Sequence, residues 1–597
     1  MFGKILIANR GEIAIRVARA CREMGIASVA VYSEADRDAL HVQAADEAHL
    51  LGGPLPADSY LNVERLLDVI ARCGADAVHP GYGFLAENAP FARALADAGV
   101  TFIGPPADAI DAMGSKTKAR ELMQAAGVPI VPGTTEAVAT YEDALRIATD
   151  EIGFPVAVKA SGGGGGKGFR VALTADDLKD AFEGAGREGE KFFSDATVYL
   201  ERYLPDPRHV EVQILADTHG ACIHLGERDC SIQRRHQKVI EEAPAPSWVV
   251  DEELRERIGR IGVDAAQAVG YVGAGTVEGL LSSDTGEYFF LEMNTRVQVE
   301  HCVTEMVTGI DIVKEGIRAA AGLPLSYAQE DVVLRGHAIE CRINAEDASR
   351  SFAPAPGRIG RYKEPSGPGV RVDSGVGPGG EVSPLYDPMV AKLIVWDADR
   401  EQATARMLRA LAEYEIEGLK TLLPFHSALL AREEWRTGST CHELLQDTDW
   451  LATLAFPKAE DSAGENEDDA DRVAKDYTVE VSGKRFEVRV IGEAGPAAEA
   501  GAGTGNRKKP ARGERKRAAG GGADVLASPL QGNVWRIPVK EGDEVTEGQL
   551  ICIIEAMKME NEITAHKAGT ITELHVKEGE PVNADAPIVT ISAAAAK

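Results

Sequence analysis

The 597-residue chain has no apolar run of membrane-spanning length, few aromatics (6%) and no excess of positive charge. A spanning helix needs roughly 20 consecutive apolar residues, so an integral membrane protein is not expected. The chain opens on KILIA (4–8) and RGEIAIRVARAC, a charged helical pattern with no apolar leader, so a cytoplasmic location is expected. Its eight cysteines are scattered, with no C-x-x-C pair and no Cys/His cluster of zinc spacing, which suits reduced thiols. The formal net charge of −30 speaks against broad nucleic-acid binding, which requires a basic surface. Small anionic substrates stay open, because local wells of Lys and Arg can hold them.

What is present divides the chain. Strand-like KILIA, SVAVY (28–32) and AVHPGYGF (77–84) alternate with helical stretches, the signal of an open α/β sheet over 1–112. A second α/β unit is expected over 113–330. A third, mixed α+β unit (331–450) carries the strands HAIECRI (337–343) and AKLIVW (391–396) and the helix RMLRALAEYE (406–415). Composition then shifts: 459–472 is acidic, 493–506 Gly/Ala-rich, and 507–517 (RKKPARGERKR) basic. This reads as a linker over 451–522, interrupted by a β-hairpin at YTVEVSGKRFEVRV (477–490). As flexible coil it would span about 45 Å. The segment 523–594 holds a gapless internal repeat, GNVWRIPVKEGDEV (532–545) and GTITELHVKEGEPV (569–582), each copy continuing into an apolar strand. Two matching strand sets predict a small pseudo-twofold all-β domain, with EAMKME (555–560) as an exposed turn between them.

Four features carry chemistry. Lys558 sits at that turn between Met557 and Met559. The segment SGGGGGKGFR (161–170) follows the strand FPVAVKA; consecutive glycines let amide N–H groups fold over phosphates, and the spacing is not that of a Walker A loop. Glu278 and Glu292 stand on neighbouring strands, with Asn294 two residues beyond Glu292 on the same face, an oxygen set suited to magnesium beside a nucleotide. Finally RDCSIQRRHQK (228–238), NTRVQVEH (294–301) and ECRINAED (340–347) supply Lys238, Arg296 and Arg342 as anion ligands and Glu300 as a base.

EAMKM resembles a biotin-attachment signature; a lipoyl domain has the same pseudo-symmetry but usually shows Asp-Lys-Ala at the turn. The strand, glycine hairpin and Lys159 resemble the ATP-grasp fold, and together with HPGYGFLAEN (79–88) the clusters over 1–445 resemble biotin carboxylases. The whole chain looks like the α-subunit of an actinobacterial-type acyl-CoA carboxylase. The resemblance implies ATP, Mg2+ (or Mn2+), bicarbonate and biotin, the last covalently on Lys558. It implies that Lys116, Lys159, His209, Gln233 and His236 contact ATP, that Gly165 and Gly166 close over its phosphates, and that Glu201, Arg202, Tyr203 and Leu204 line the adenine side through the hinge backbone. Glu278, Glu292 and Asn294 would hold metal. Lys238, Arg296 and the Val299 backbone would hold bicarbonate, Glu300 would deprotonate it, and Arg342 would stabilise the biotin enolate. The implied partners are a biotin protein ligase and a separate carboxyltransferase β-subunit that binds the acyl-CoA, in a large α/β hetero-oligomer without nucleic acid or membrane.

Three positions depart from the family pattern: Cys302 in place of Pro, Gly279 in place of a bulky residue beside Glu278, and Ala86 in place of Ser. Gly279 bears on how the adenine side is packed. Two other functions stay open, the carboxylase subunit of a split pyruvate carboxylase and a non-catalytic carrier or scaffold. Bicarbonate- and biotin-dependent ATP hydrolysis separates a working carboxylase from a scaffold.

Overall fold

The computed structural model describes residues 1–134, 136–160, 169–193, 197–234, 237–454, 472–481, 484–493, 524–529, 532–556, 559–582 and 586–592. The N-terminal unit is a five-stranded parallel sheet in the spatial order Glu47–Gly52, Ala27–Ser33, Lys4–Ile7, Ala77–His79, Thr101–Phe102. Ile5, Leu6 and Ile7 are buried, as expected for a strand covered on both faces. Asn62 and Asn88 accept hydrogen bonds from the third residues of the helices Val63–Cys73 and Ala89–Asp97, satisfying amides that a helix start leaves open.

A three-stranded antiparallel sheet follows, with Val156–Ala160 between Phe169–Ala172 and Val198–Arg202 and the helix Ala175–Phe193 packed on it. The sequence places a glycine hairpin between its first two strands, at 161–168, outside the described residues.

The centre of the molecule is one eight-stranded antiparallel sheet. Its strands, in chain order, are β1 (Arg208–Ala216), β2 (Cys222–Arg234), β3 (Gln237–Ala243), β4 (Gly273–Leu281), β5 (Tyr288–Asn294), β6 (His337–Asn344), β7 (Val370–Ser374) and β8 (Met389–Asp397). They lie in the order β5-β4-β1-β2-β3-β6-β8-β7. Pairing of β3 with β6 carries the sheet straight across residue 330, so the second and third units share it.

The period of two sorts β6 and β8 into opposite roles. Ile339, Cys341, Ile343, Leu393 and Val395 enter the large C-terminal apolar core. Glu340, Arg342 and Lys392 alternate with them, on the side where Ala338 and Ile394 meet Cys302, Val303 and Val307 of the helix His301–Thr308. The expected helix at 406–415 runs instead from Arg400 to Glu413, capped by Asp399, and Glu415–Ile416 is a short strand paired to Tyr362–Lys363. The core positions Ala403, Met407, Ala410 and Leu411 set its register, and Tyr414 ends it in an extended conformation.

The hairpin in the linker is present and longer than expected, Arg472–Val481 against Lys484–Glu493. The rest of 455–523 lies outside the described residues. The domain from 524 onward is two four-stranded sheets in which the repeats interlock. Gly532–Arg536 of the first copy pairs with Pro581–Val582 of the second, and Gly569–Leu574 of the second pairs with Glu544–Val545 of the first. Among the described residues no helix is long and apolar enough to cross a membrane.

Candidate active site

A cleft of about 2190 Å³ is lined by Lys159, Glu201, Arg202, Tyr203, Leu204, His209, Gln233, Lys238, Glu278, Glu292, Asn294, Arg296, Val299, Glu300 and Arg342. These positions span nearly 200 residues of sequence; His209, Gln233, Lys238, Glu278, Glu292, Asn294 and Arg342 converge because β1 to β6 lie side by side, while Lys159 and residues 201–204 come from the three-stranded sheet. Lys116 opens the helix Lys116–Ala125, whose start is capped by Ser115. Gly165, Gly166, His236 and Lys558 lie outside the described residues.

Lys238 is the hub. Its ammonium donates to Glu211, to Glu278 Oε1 at 2.7 Å and to Glu300 Oε1 at 2.7 Å. Burial disfavours its charge, but Glu211, Glu300 and Glu278 outweigh that and hold it well above its ordinary value. Burial likewise pushes Glu300 and Glu278 up, yet Lys238 reverses the sign and keeps both below the usual carboxylate range. His209 Nε2 lies 3.0 Å from Glu278 Oε2; burial opposes its charge, and the flanking carboxylates raise it to about 9.

Arg228, fully buried, supports this layer from below, donating to Glu211 at 2.6 Å, Gln213 at 2.8 Å, Thr304 at 3.0 Å, Thr276 at 3.2 Å and Gln298 at 2.7 Å. Such a cation is tenable only because it is fully paired.

Glu278 and Glu292 are cross-strand partners. Glu278 Oε1 accepts from Asn294 Nδ2 at 2.8 Å and Gln298 Nε2 at 2.6 Å, whereas Glu292 is exposed rather than set among apolar residues. Arg296 donates to Asn294 Oδ1 at 2.6 Å and to Glu87 Oε2 at 2.8 Å. Arg342 donates from Nη2 to Glu300 Oε2 at 2.9 Å and from Nε to Glu241 Oε1 at 2.6 Å. The Val299 carbonyl accepts from the buried Lys392 at 2.8 Å, which fixes the turn before Glu300.

On the far wall, Lys159 pairs with Glu201, which also accepts from Arg120 at 2.9 Å. The amides of Arg202 and Tyr203 donate to Pro132 and Pro155 carbonyls, at 2.8 and 2.9 Å, so they hold the hinge in place instead of offering donors to a ligand. The Gln233 side chain donates to Cys230 O at 2.8 Å at the bulged end of β2.

Several participants were not singled out from sequence. Glu211 had a usable signal, since it follows His209 by two residues on the same strand face. Glu87 lies inside the quoted HPGYGFLAEN. Arg228 and Gln298 likewise lie inside the quoted RDCSIQRRHQK and NTRVQVEH, whereas Glu241 had no such signal, because its partner Arg342 is remote in the chain.

The departures resolve in packing. A Cβ on Gly279 would sit 2.2 Å from the Tyr288 ring, so that glycine faces Tyr288 and the inner core rather than the cleft. Cys302 is fully buried, 3.2 Å from Lys392 Nζ and 3.3 Å from Asp373 Oδ2. Ala86 is buried. His301, Cys302 and Glu305 cluster as a metal site would, but Arg371, Arg16 and Lys392 already occupy their surroundings with positive charge.

Known proteins match the chain segment by segment. Residues 1–110 match the family "Biotin carboxylase, N-terminal domain" and 340–452 its C-terminal domain. Residues 115–328 match "Carbamoyl-phosphate synthase L chain, ATP binding domain" and 524–591 match "Biotin-requiring enzyme". The biotin-dependent acyl-coenzyme A carboxylase alpha3 subunit of Mycobacterium leprae is 45% identical over 97% of both chains. A pyruvate carboxylase subunit of Methanothermobacter thermautotrophicus is 55% identical over 73% of this chain and 88% of its own. Among solved structures, the biotin carboxylase domain of Hydrogenobacter thermophilus 2-oxoglutarate carboxylase, in complex with MgADP, ADP and bicarbonate, is 48% identical with a TM-score of 0.70, covering 77% of this chain and all of that one. The chain therefore belongs to the biotin carboxylase family, in the form that carries a biotinyl domain on the same polypeptide.

Proposed function

We propose that the chain is the cytoplasmic α-subunit of an acyl-CoA carboxylase, using ATP and bicarbonate to carboxylate a biotin on its own Lys558, with the carboxyltransferase on a separate β-subunit. The observation that carries the acyl-CoA assignment is the similarity to the M. leprae protein, which runs through both the carboxylase and the biotinyl domain, whereas that to the pyruvate carboxylase chain covers 438 residues. A biotin protein ligase would load Lys558, and the partner would bind the acyl-CoA in a hetero-oligomer.

In this reading Lys159, His209, Gln233 and the hinge residues 201–204 receive ATP, joined by Lys116, His236 and the glycines 165–166. Glu278, Glu292 and the Asn294 carbonyl offer an all-oxygen donor set, which fits magnesium or manganese, and Glu278 is anionic before any ion arrives. That metal, once bound, neutralises triphosphate charge.

Lys238, Arg296 and the Val299 backbone hold bicarbonate. An anion on Lys238 competes with Glu300 for its ammonium, so Glu300 becomes more basic as its substrate binds. Glu300 then takes the bicarbonate proton, and the freed oxyanion attacks the γ-phosphorus to give carboxyphosphate and ADP. Carboxyphosphate breaks into CO2 and phosphate; the phosphate takes the N1′ proton of biotin, and the biotin enolate adds to CO2. Arg342 is the cation beside the enolate, preorganised by Glu300 and Glu241.

The test is bicarbonate-dependent ATP hydrolysis by the purified chain with free biotin, followed by transfer of labelled carboxylate to acetyl-CoA, propionyl-CoA or pyruvate in the native complex. No hydrolysis would leave only a carrier or scaffold, and transfer to pyruvate alone would favour a split pyruvate carboxylase.

A further inference from the structure

We propose that Glu241 and Glu340 form a carboxyl pair that shares one proton beneath Arg342, and that this pair positions the guanidinium against Glu300. The two residues are direct cross-strand partners on β3 and β6, and both are fully buried. Arg342 stands two residues beyond Glu340 on the same strand face and bridges Glu241 to Glu300. Glu241 Oε2 and both Glu340 oxygens are buried without any hydrogen-bond partner.

The charge balance requires the proton. The groups facing the pair are Arg342, Lys392, Lys238 and Glu300, with the Cys302 thiol beside them, whereas Cys341 faces the other side of the strand. Lys238 is committed to Glu211, Glu278 and Glu300. Lys392 also faces Glu340 and favours its charge, but it donates its hydrogen bonds to Val299 O and Cys302 Sγ and lies 3.4 Å from Glu12. Arg342 alone serves both Glu241 and Glu300. Among the described residues only Arg342 hydrogen-bonds the pair, and two adjacent buried carboxylates with three oxygens left without a donor are not tenable; one of them keeps its proton. Burial is also the largest influence on each group, raising Glu241 to about 7 and Glu340 well above the ordinary range.

With one proton the pair presents a single negative charge to Arg342, balanced against that of Glu300. Loss of the proton doubles the charge below Arg342 and draws the guanidinium away from the cleft. The positioning half of this inference rests on Arg342 serving biotin, as proposed above; the shared proton does not.

The experiment combines infrared pH titration of the full-length protein with kinetics using free biotin. The expected result is a protonated-carboxyl C=O band at neutral pH that fades as pH rises and is missing from E340Q. Bands from Glu12 and Glu346, which burial also raises, stay in place in that variant. E340Q should move the alkaline limb of kcat to higher pH. E241Q should lower kcat for biotin roughly 10- to 100-fold, the loss of one charge-assisted hydrogen bond, without changing KM for ATP, and Glu241→Asp should restore part of it. A wild-type spectrum without a titrating carboxyl band, or a band unaltered in E340Q, overturns the pair even if other variants fail to fold. A band that E340Q removes, together with wild-type kcat in E241Q, overturns the positioning role. If Arg342→Ala carboxylates biotin normally, the assignment of Arg342 fails separately, and the infrared result still decides the pair.

Discussion

The carboxylase body and the biotinyl domain bury different things. At the centre of the body Arg228, Glu211, Glu241, Glu340 and Lys392 are fully buried, and Glu300 nearly so. The biotinyl core, among its described residues, is apolar, including Val534, Ile551, Ile554, Ile571, Ile588 and Ile591, with Ser528 as the buried polar side chain. Burying charge costs free energy even when paired, so it persists where a reaction needs a field fixed in advance. A carrier needs only a stable shape that displays its lysine, and apolar area supplies that.

The sharpest way to separate the two regions is Lys558→Ala. It should abolish covalent biotin completely, read as a blank streptavidin blot, while ATP hydrolysis with free biotin continues. Retained signal would place biotin elsewhere. On the other side, Arg342→Ala should lower carboxybiotin formation roughly 100- to 1,000-fold while ATP still binds, measured by labelled bicarbonate and nucleotide titration. A rate within about threefold of wild type would contradict the field argument.

Stability should divide in the same way. Ile554→Ala leaves a cavity in the biotinyl core and should cost about 2–5 kcal/mol there, seen in calorimetry as a downward shift of the carrier transition alone. Activity with free biotin should not change. In the body, Glu242 pairs with Arg400 and with His337 at 2.8 Å. Burial would raise this carboxyl, but those partners win and lower it to about 2. A depressed carboxyl stabilises the fold above its unfolded value near 4.5 and loses that contribution as pH falls toward 2. The contribution is about 3 kcal/mol, so acid unfolding of Glu242→Gln should be flatter across that window.

The smallest effect belongs to the connection between the regions. Deleting 507–517 should leave ATP hydrolysis with free biotin intact and slow only transfer that needs Lys558-biotin to travel. Contacts of such exposed charges are worth about 0–1 kcal/mol each and weaken with salt.

Where residues near in sequence do a job together, that job was legible beforehand. The VKEG repeat disclosed the pseudo-twofold domain, and HAIECRI disclosed a strand. Helix ends were less legible: the helix 400–413 begins well before its apolar run because Asp399 caps it. Of the residues expected for ATP, metal and bicarbonate, Lys159, 201–204, His209, Gln233, Lys238, Glu278, Glu292, Asn294, Arg296 and Val299 line one cleft, Gly165, Gly166 and His236 lie outside the described residues, and the layer beneath was not foreseen. Arg296 meets Glu87 across 209 positions and Arg228 meets Thr304 across 76. No periodicity records such pairs.

The sequence alone determined the gapless repeat, the glycine-rich segment and the lysine between two methionines, because each depends on local geometry or a short period. Only the tertiary structure decided which of the 94 acidic residues are buried together and which of them share a cation. Glu300 is held ionised by Lys238, while Glu241, three residues beyond Lys238, and its cross-strand partner Glu340 are pushed toward their protonated forms. The difference is electrostatic: a carboxyl's charge is set by its distance from the nearest uncommitted cation and from water, and both distances come into being when the sheet closes.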